Sequence, residues 1–503
     1  MSRKPTTRSK PKATSAPATE QEPVLTVRHY CQGIGDCHLL TFKTPEGKPF
    51  RILIDCGIHV SIKDGQALVG DIVTDLKDNT EGGHIDILVV THEHWDHVSG
   101  FLTANDVFST FTVGEVWMAW TENPADAEAV ELDKFKGQAL AALQGAGQRL
   151  EGMQDLNPYM GRVRDGLQAV LGFQFGATGQ RVRLARDAAA KLCKKAPRYF
   201  EPGGPPTTIP QLPGLNIYVL GPPRDKAALR LEDQAGAMFP LARGGPLAQA
   251  LTCGLKMNGE NDASLIDELS PFEHNVGSSL SAVLSGDADD SKVIDYVREH
   301  YSEPIEHAAP QENPDQSWRR IDADWMGIAA DLALQIDRGV NNTSLVLAFE
   351  FNDRVFLFPG DAQIGNWLSW SDLEWTVGQK TVTTNDLLAR TVYLKVAHHC
   401  SQNATPQKQG LDLMTSPYLS AFIPTNRDDA KNVHWTKMPY EGILTALAAK
   451  TKGRVIRADD EWLKGSEVKP GFEWPSGSIL AVRSKPRDQA RVPGGLWVEL
   501  DLA

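Results

Sequence analysis

The sequence predicts an α/β protein (α+β in some classifications), and three features support this class. Short runs of β-branched and aromatic residues, each bounded by Gly, Pro or Asp, are typical of strands. The run Ile85–Val90 is almost entirely apolar, which predicts a strand buried on both faces. Segments Ala125–Leu150 and Gly166–Leu192 are rich in Ala, Leu, Gln, Glu, Lys and Arg, with apolar positions at helical spacing.

Length and composition narrow the class of protein further. A chain of 503 residues corresponds to roughly three domains of about 150 residues, or to one large fold with insertions. No apolar run approaches the ~18 residues that a membrane-spanning helix needs, so we expect a soluble protein. The net charge of −13 argues against a basic surface for non-specific binding of nucleic acid. A local cleft in which metal ions supply positive charge is compatible with this balance.

The cysteines and the N-terminal segment indicate the compartment. Six cysteines, at 31, 37, 56, 193, 253 and 400, are too few for a disulfide scaffold and form no CxxC pair for a structural zinc finger. A reducing compartment is therefore expected. Residues 1–22 are rich in Ser, Thr, Pro and Lys/Arg and lack an apolar signal core, which predicts a disordered basic tail and a cytoplasmic protein. A docking arm for an acidic partner is the alternative for this tail.

Two groups of strands follow along the chain. The first group comprises Val24–Arg28, Leu39–Phe42, Phe50–Ile54 and Ile85–Val90. After the helical block, the second group comprises Leu215–Leu220, Ser344–Phe351, Val355–Phe358, Val392–Val396 and Ala421–Pro424. The last predicted elements are a helix at Tyr440–Lys452 and strands at Ser478–Arg483 and Leu496–Leu500. We find no short-period repeat, which argues against a solenoid or a propeller.

A cluster of metal-ligand residues follows the strand Ile85–Val90 directly. It reads Thr91-His92-Glu93-His94-Trp95-Asp96-His97, an HxHxDH pattern. Imidazole and carboxylate groups bind zinc and similar divalent ions. Histidines two positions apart on an extended turn point the same way, so His92 and His94 can share one ion, and Asp96 and His97 then face a second. The alternative, a polar turn with surface histidines, requires four ligand residues at this spacing by chance.

Further ligands are expected at other strand ends, because this cluster alone cannot complete two metal sites. Asp361 follows the hydrophobic strand Val355–Phe358, where its carboxylate could bridge two ions. His398 and His399 follow the strand Val392–Val396 in the same way. A lone Asp after a strand is more often a turn residue, but three such strand ends in one chain favour a shared site.

These residues belong to a longer series of motifs. In chain order the series is Gly33–Asp36 (GxGD), Ile52–Gly57 (LLIDxG), His92–His97, Asn341–Leu347 (NNxSLVL), Phe358–Asp361, Leu394–Ser401 (LKVxHHGS), His434–Pro439 and Val455–Asp459. The series resembles the metallo-β-lactamase superfamily, specifically the hydrolase domain of ComEC-type competence proteins. The resemblance covers roughly residues 24–125 and 341–465.

The resemblance implies an architecture. It implies a four-layer αββα sandwich, in which two sheets pack face to face between helices and all the motifs meet at one edge. The hydrolase domain would span residues 23–503, with insertions at about 125–205 (helical) and 224–340 (mixed). These insertions would roof or flank the cleft.

The resemblance also implies a ligand set for two divalent cations, with zinc preferred to manganese. His92, His94 and His398 would hold one cation, and Asp96 and His97 the other, with Asp361 shared between them. His399 would be a neighbouring group or a proton donor to the leaving group. The groups interpreted as orienting the ligands through hydrogen bonds are Asp36, Asp55, Asn341 and His434. For Asp36 and Asp55, a turn-forming role without effect on the metal is the alternative.

The sequence departs from the family pattern at several positions. Cys400 occupies the position of the Gly after the double histidine, and the membrane channel of the competence proteins is absent. Many superfamily members use a histidine between the signature and the bridging Asp. The histidines available there, His274, His300 and His307, do not follow a convincing strand. Water, Asn341 or Asn342 could fill that position.

The resulting hypothesis is a metal-dependent hydrolase, most naturally a phosphodiesterase or nuclease, with DNA and RNA among its candidate substrates. The catalytic residues would be Asp96, Asp361 and His399, and the two cations would lower the pKa of an attacking water. Hydrolysis of a lactone, thioester or β-lactam is the alternative within the hydrolases. A metal-stabilised interaction module without catalysis is the alternative from another class.

Overall fold

A computed structural model describes residues 22–137, 180–229, 339–433, 435–464, 479–487 and 494–502, together with the single positions 143, 292, 295 and 296. Within these residues, one mixed sheet has eight strands. They are β1 Leu25–Tyr30, β2 His38–Lys43, β3 Pro49–Ile54, β4 His84–Val90, β5 Thr112–Ala119, β6 Arg198–Phe200, β16 Ile479–Pro486 and β17 Gly495–Leu502. Their order across the sheet is β16-β17-β1-β2-β3-β4-β5-β6.

A second mixed sheet is formed by seven of the described strands. They are β7 Thr207–Ile209, β8 Leu212–Gly221, β9 Val346–Phe351, β10 Arg354–Phe358, β13 Thr391–Lys395, β14 Ser420–Ile423 and β15 Val455–Arg457. Their order is β15-β14-β13-β10-β9-β8-β7. A separate hairpin pairs β11 Glu374–Val377 with β12 Lys380–Thr383.

The helices of the described residues lie mostly in the connections between strands. They are α1 Gly65–Asn79, α2 Trp95–Thr103, α3 Asn105–Phe108, α4 Gln180–Ala190, α5 Lys226–Leu229, α6 Ile364–Leu368, α7 Thr384–Ala389, α8 Arg427–Asn432 and α9 Glu441–Lys450. Residues 127–137 also contain a helical segment. Short 3₁₀ turns occur at Trp120–Glu122, His398–Cys400, Leu411–Leu413 and Glu461–Lys464.

The two large sheets share one apolar core. Alternate residues of β4, such as Val89, pack in the same cluster as Phe356 and Phe358 of β10. The other face of β4, including Leu88, packs with apolar residues of α1 and α2. The outer face of the second sheet packs with Trp367 of α6. Because side chains alternate between the two faces of a strand, each sheet contributes one face to the shared core and one to the helices outside it.

Parallel pairing brings the candidate site residues to one edge. β3, β4 and β5 are parallel neighbours in the first sheet, and β10, β13 and β14 are parallel neighbours in the second. The loops that follow parallel strands leave from the same edge of a sheet. An isolated bridge between Ile34 and Thr425 joins the two sheets near this edge.

The structure confirms the predicted α/β class and every strand named from the sequence. Several elements were not predicted, among them α1, β5 and the short strand β6, which lies within the insertion expected to be helical. Helix α1 carries a helical apolar pattern that was overlooked, whereas Gly114 and Glu115 interrupt the apolar run of β5. The predicted tail at 1–22 lies, except for Glu22, outside the described residues. In the part of the chain that the structure describes, no helix has both the length and the apolar character needed to cross a membrane.

Helix α1 is fastened to the first sheet by a buried carboxylate, Asp75. Its Oδ2 accepts hydrogen bonds from Arg28 Nη1 and from the Tyr30 hydroxyl, both at 2.9 Å. Its Oδ1 accepts one from Lys485 Nζ at 2.7 Å. These donors belong to β1 and β16, so one side chain joins the helix to two strands that are far apart in the sequence.

Replacing Asp75 with Ala is expected to lower the free energy of unfolding by about 3 kcal/mol, because removing one partner of a buried ion pair leaves the other charge poorly compensated. The matched control is Asp78→Ala on the exposed side of the same helix. That change should alter the free energy by no more than about 0.5 kcal/mol. Urea unfolding of both variants checks the difference, and equal effects would contradict this role of Asp75.

Candidate metal centre

The signature turn is the segment Thr91–His97, which joins β4 to α2. The carboxylate of Asp55, directly after β3, accepts hydrogen bonds from the Thr91 amide (2.8 Å) and hydroxyl (2.6 Å). The same carboxylate lies 2.8 Å from His97 Nδ1. Asp55 therefore fixes the ring of His97 and leaves its Nε2 directed at Asp361. This is the type of contact that the sequence predicts for Asp55.

Asp361 comes from the second sheet, directly after β10. Gly360 has a φ of +56°, and a Cβ at this position would lie 3.1–3.2 Å from side-chain atoms of Thr91 and Ser344. Glycine therefore permits the close approach of this loop to the signature turn. The Asp361 amide donates a hydrogen bond to Ser344 Oγ (3.1 Å), and Asp361 Oδ2 lies 3.1 Å from His97 Nε2.

The double histidine after β13 has an unusual backbone. His398, His399 and Cys400 have φ values of 40°, 52° and 61°, so three consecutive residues adopt left-handed conformations. The two imidazoles consequently point to different partners. His399 Nε2 lies 2.8 Å from Asp96 Oδ2 and 3.2 Å from Asp361 Oδ2.

The structure therefore places His399 beside Asp96 and Asp361. The sequence analysis expected His398 to be the ligand, together with His92 and His94, and His399 to be a neighbouring group. The ring of His398 contacts Asn341 Nδ2 at 3.2 Å through Nε2. Its Nδ1 lies 2.6 Å from Ser401 Oγ and 3.1 Å from Gln363 Nε2. The expectation came from position, since His398 follows its predicted strand at the same distance as His92 follows β4. The left-handed backbone after β13 makes the two strand ends different.

Four buried residues converge at the centre of the site. Each offers a ligand atom that lies within 4.8 Å of the others: Asp96, His97, Asp361 and His399. All four side chains have no solvent exposure. A smaller group, Asp36, Asp55 and His97, meets the same distance criterion and shares His97 with the first. The buried His and Asp side chains can thus hold a metal ion.

The donor atoms of this group fit a divalent cation. Asp361 Oδ2 and His97 Nε2 lie 3.1 Å apart, yet neither makes a hydrogen bond of acceptable geometry to the described residues, and the same holds for Asp96 Oδ1. Buried polar atoms without partners are costly in free energy. A cation bound between nitrogen and carboxylate ligands would satisfy all three atoms, and this donor set suits zinc or manganese.

The carboxylates of the centre shift the pKa of both imidazoles, His97 and His399. Burial lowers the pKa of His97, but the charges of Asp361, Asp96 and nearby carboxylates outweigh it and raise that pKa well above its usual value. Burial also lowers the pKa of His399, but Asp361 and Asp96 outweigh it and raise that pKa to about 10. The carboxylates therefore favour the cationic form of both imidazoles.

The other two signature histidines, His92 and His94, have lowered pKa values. His92 Nε2 and His94 Nδ1 lie 2.9 Å apart, and both rings are buried. Burial and the neighbouring imidazoles hold the pKa of His92 well below its usual value. Burial lowers the pKa of His94 to about 3, with contributions from the charges of His97 and His398. A neutral imidazole is the form that binds a metal ion.

Lys395 is a site residue that the sequence analysis missed. This last residue of β13 is 1% exposed, and its ammonium contacts the Asp36 carboxylate and lies 3.3 Å from Asp361 Oδ1. Burial lowers the pKa of Lys395, but Asp36 and Asp361 raise it above its usual value. A lysine within an apolar strand, Val392–Val396, is the signal that could have identified it.

A second missed cluster lies on the outer side of the signature turn. Arg186 of α4 donates from Nη1 to Glu93 Oε2 (2.6 Å) and to Glu122 Oε2 (2.9 Å). Lys136 Nζ lies 3.7 Å from Glu93 Oε2 and 3.6 Å from Glu122 Oε1. Glu93 stands between His92 and His94 in the sequence, so this cluster ties the predicted helical insertion to the signature turn.

The remaining predicted residues have different outcomes. Asp36 lies beside the centre, 3.8 Å from His97 Nδ1, and Asn341 contacts His398 rather than a carboxylate. His434 lies outside the described residues, as do the histidines considered for the middle ligand, His274, His300 and His307. The five cysteines within the described residues are free thiols, and burial raises the pKa of Cys400 to about 12.

Comparison of the chain with models of known protein families gives no match, and comparison with curated proteins gives none either. The resemblance to metallo-β-lactamases therefore depends on the sequence motifs alone.

Zinc binding to the metal-free protein is expected to release about two protons near pH 7, one from each of His97 and His399, because ligand imidazoles must be neutral. The apparent affinity should accordingly rise with pH up to about 10, the pKa of His399. Calorimetric titration in two buffers of different ionisation enthalpy measures the proton count. Binding without proton release would contradict the raised pKa values of these two imidazoles.

Proposed function

We propose that this protein is a metal-dependent hydrolase that cleaves phosphodiester bonds with two divalent cations, and that its fold is the four-layer αββα sandwich of the metallo-β-lactamase superfamily. The shared core of the two sheets and the helices outside them support that architecture. The observation that carries the function is the convergence of Asp96, His97, Asp361 and His399 from three separate strand ends.

We assign the ligands from the contacts. Asp96, His97 and His399 would hold one cation together with Asp361, because their donor atoms already face Asp361 Oδ2 or one another. His92 and His94 would hold the second cation and share Asp361. His398 is a further candidate, since its backbone amide donates a hydrogen bond to Asp361 Oδ1 at 3.1 Å.

The residues around the ligands would prepare this site for hydrolysis. When bound, the two cations supply a lowered pKa for the attacking water and stabilise negative charge on the phosphoryl oxygens. Asp55 fixes the tautomer and orientation of His97 by accepting from Nδ1. The complete burial of the four central residues lowers the local dielectric constant, which strengthens their electrostatic interactions.

A phosphodiester is favoured over a lactone, thioester or β-lactam for two reasons. The motif series resembles the competence-type hydrolases, and a phosphodiester transition state places negative charge on oxygens that two cations can contact. The net charge of −13 favours a small phosphodiester or a single-stranded end over long duplex DNA.

The activity test is a substrate panel with the protein purified without chelators. We expect turnover of a generic phosphodiester or of single-stranded nucleic acid, and its loss after treatment with a chelator. If only a chromogenic lactam or a thioester is turned over, the protein is a hydrolase of the alternative class and not a phosphodiesterase. Metal binding without turnover of any substrate would favour the interaction module.

Asp361→Asn is expected to lower kcat by more than about 100-fold, the upper range for residues that only orient a ligand, because it removes the shared carboxylate. Metal content should fall below that of the wild type. The matched control is Asp353→Asn in the exposed β9–β10 turn, where the side chain also follows a strand end. Elemental analysis and steady-state kinetics check both variants, and unchanged metal content and activity in Asp361→Asn would contradict the proposal.

A further inference from the structure

The two oxygens of the Asp361 carboxylate have different environments. Oδ1 lies 3.3 Å from Lys395 Nζ and accepts a hydrogen bond from the His398 amide at 3.1 Å. Oδ2 faces the imidazoles instead, with His97 Nε2 at 3.1 Å and His399 Nε2 at 3.2 Å. The carboxylate therefore has one oxygen held by the protein scaffold and one directed at the ligand cluster.

Lys395 is itself held in a fixed position. Its ammonium donates a hydrogen bond to the Gly360 carbonyl (2.9 Å) and contacts the Asp36 carboxylate. Because Lys395 ends a central strand of the second sheet, its backbone is fixed by pairing of β13 with both β10 and β14. The ammonium thus has three oxygen neighbours, and two of these belong to the consecutive residues Gly360 and Asp361.

A row of buried polar side chains lies behind Asp36. His38 Nε2 lies 3.4 Å from Asp36 Oδ2, and His38 Nδ1 lies 2.8 Å from His29 Nδ1. His29 Nε2 contacts the hydroxyl of Tyr393 on β13. Tyr393 and Lys395 both belong to β13, whereas His38 and His29 belong to β2 and β1 of the other sheet. The row therefore fixes Asp36 and Lys395 relative to both sheets.

We propose that Lys395 is a positioning residue that holds Asp361 Oδ1, so that Asp361 offers only Oδ2 to the cations. This inference depends on the proposed metal centre, but not on the identity of the bond that is cleaved. A carboxylate can bind a metal through one oxygen or through both. Without the ammonium, Oδ1 keeps the single hydrogen bond from the His398 amide. The weakened hold lets Asp361 rotate and chelate one cation with both oxygens, at the expense of the other site.

An alternative role for Lys395 is neutralisation of Asp36 alone. The two roles predict different behaviour when Asp36 loses its charge. If Lys395 only balances Asp36, the double substitution Lys395→Met with Asp36→Asn should restore the wild-type site. If Lys395 positions Asp361, the double variant should remain altered, because the His398 amide alone then holds Oδ1.

The test uses the full chain loaded with cobalt(II), whose visible absorption weakens as its coordination number rises. Lys395→Met is expected to retain folded protein and bound cobalt but to show weaker bands than the wild type. Lys395→Arg, which keeps a cationic donor, should restore the bands in part. The double variant with Asp36→Asn removes the buried ion pair as a unit, so it tests the site even if Lys395→Met is unstable.

Kinetics supply the second readout. Once a substrate is known, Lys395→Met should lower kcat by about 10–100-fold with little change in KM, as expected for a group that orients a ligand. A wild-type cobalt spectrum in Lys395→Met or in the double variant would overturn the inference. If the wild type binds two cations but cleaves no phosphodiester, the proposed function fails while the cobalt spectra still decide the role of Lys395.

Discussion

Carboxylates buried side by side are the constraint on which this site depends. Each is at most 1% exposed: Asp36, Asp55, Asp96 and Asp361. A buried carboxylate costs several kcal/mol unless cations or hydrogen-bond donors replace the water it loses. His97, His399 and Lys395 supply that charge, since the surrounding carboxylates raise the pKa of each. The two histidines can exchange their protons for a metal ion, whereas Lys395 stays an ammonium. A metal ion can therefore replace the positive charge of the histidines but not that of Lys395.

This constraint also explains why the site spans both sheets. The signature turn belongs to the first sheet, and Asp361, Lys395 and His399 belong to the second. The buried pair Asp36–Lys395 joins the two. Near it, an otherwise apolar interface contains the polar row of His29, His38 and Tyr393, which connects strands of both sheets. On the outer side, Arg186 connects α4 to Glu93 of the signature turn. The position of the ligands is thus coupled to the packing of the whole fold.

The sequence predicts much of this arrangement, and the remainder has identifiable physical reasons. Apolar runs identify the strands, and the spacing of His92 to His97 identifies a metal site, because both signals are local. The sequence could not decide which of His398 and His399 faces the carboxylates. The orientation of the two rings depends on a left-handed backbone, which neither residue type reveals. Lys395 was missed because its partners, Asp36 and Asp361, are distant in the sequence and meet it only in the folded protein. Arg186 and Glu93 are distant in the sequence, and no periodicity relates them.

The central claim is that the strand-end cluster binds a pair of divalent cations shared by Asp361. Anomalous X-ray scattering from crystals of the protein grown with zinc tests it most directly. The account predicts two zinc peaks near Asp361 Oδ2, one contacting Asp96, His97 and His399 and the other contacting His92 and His94. Zinc bound elsewhere with these side chains unchanged, or a single peak without contact to Asp361, would contradict it.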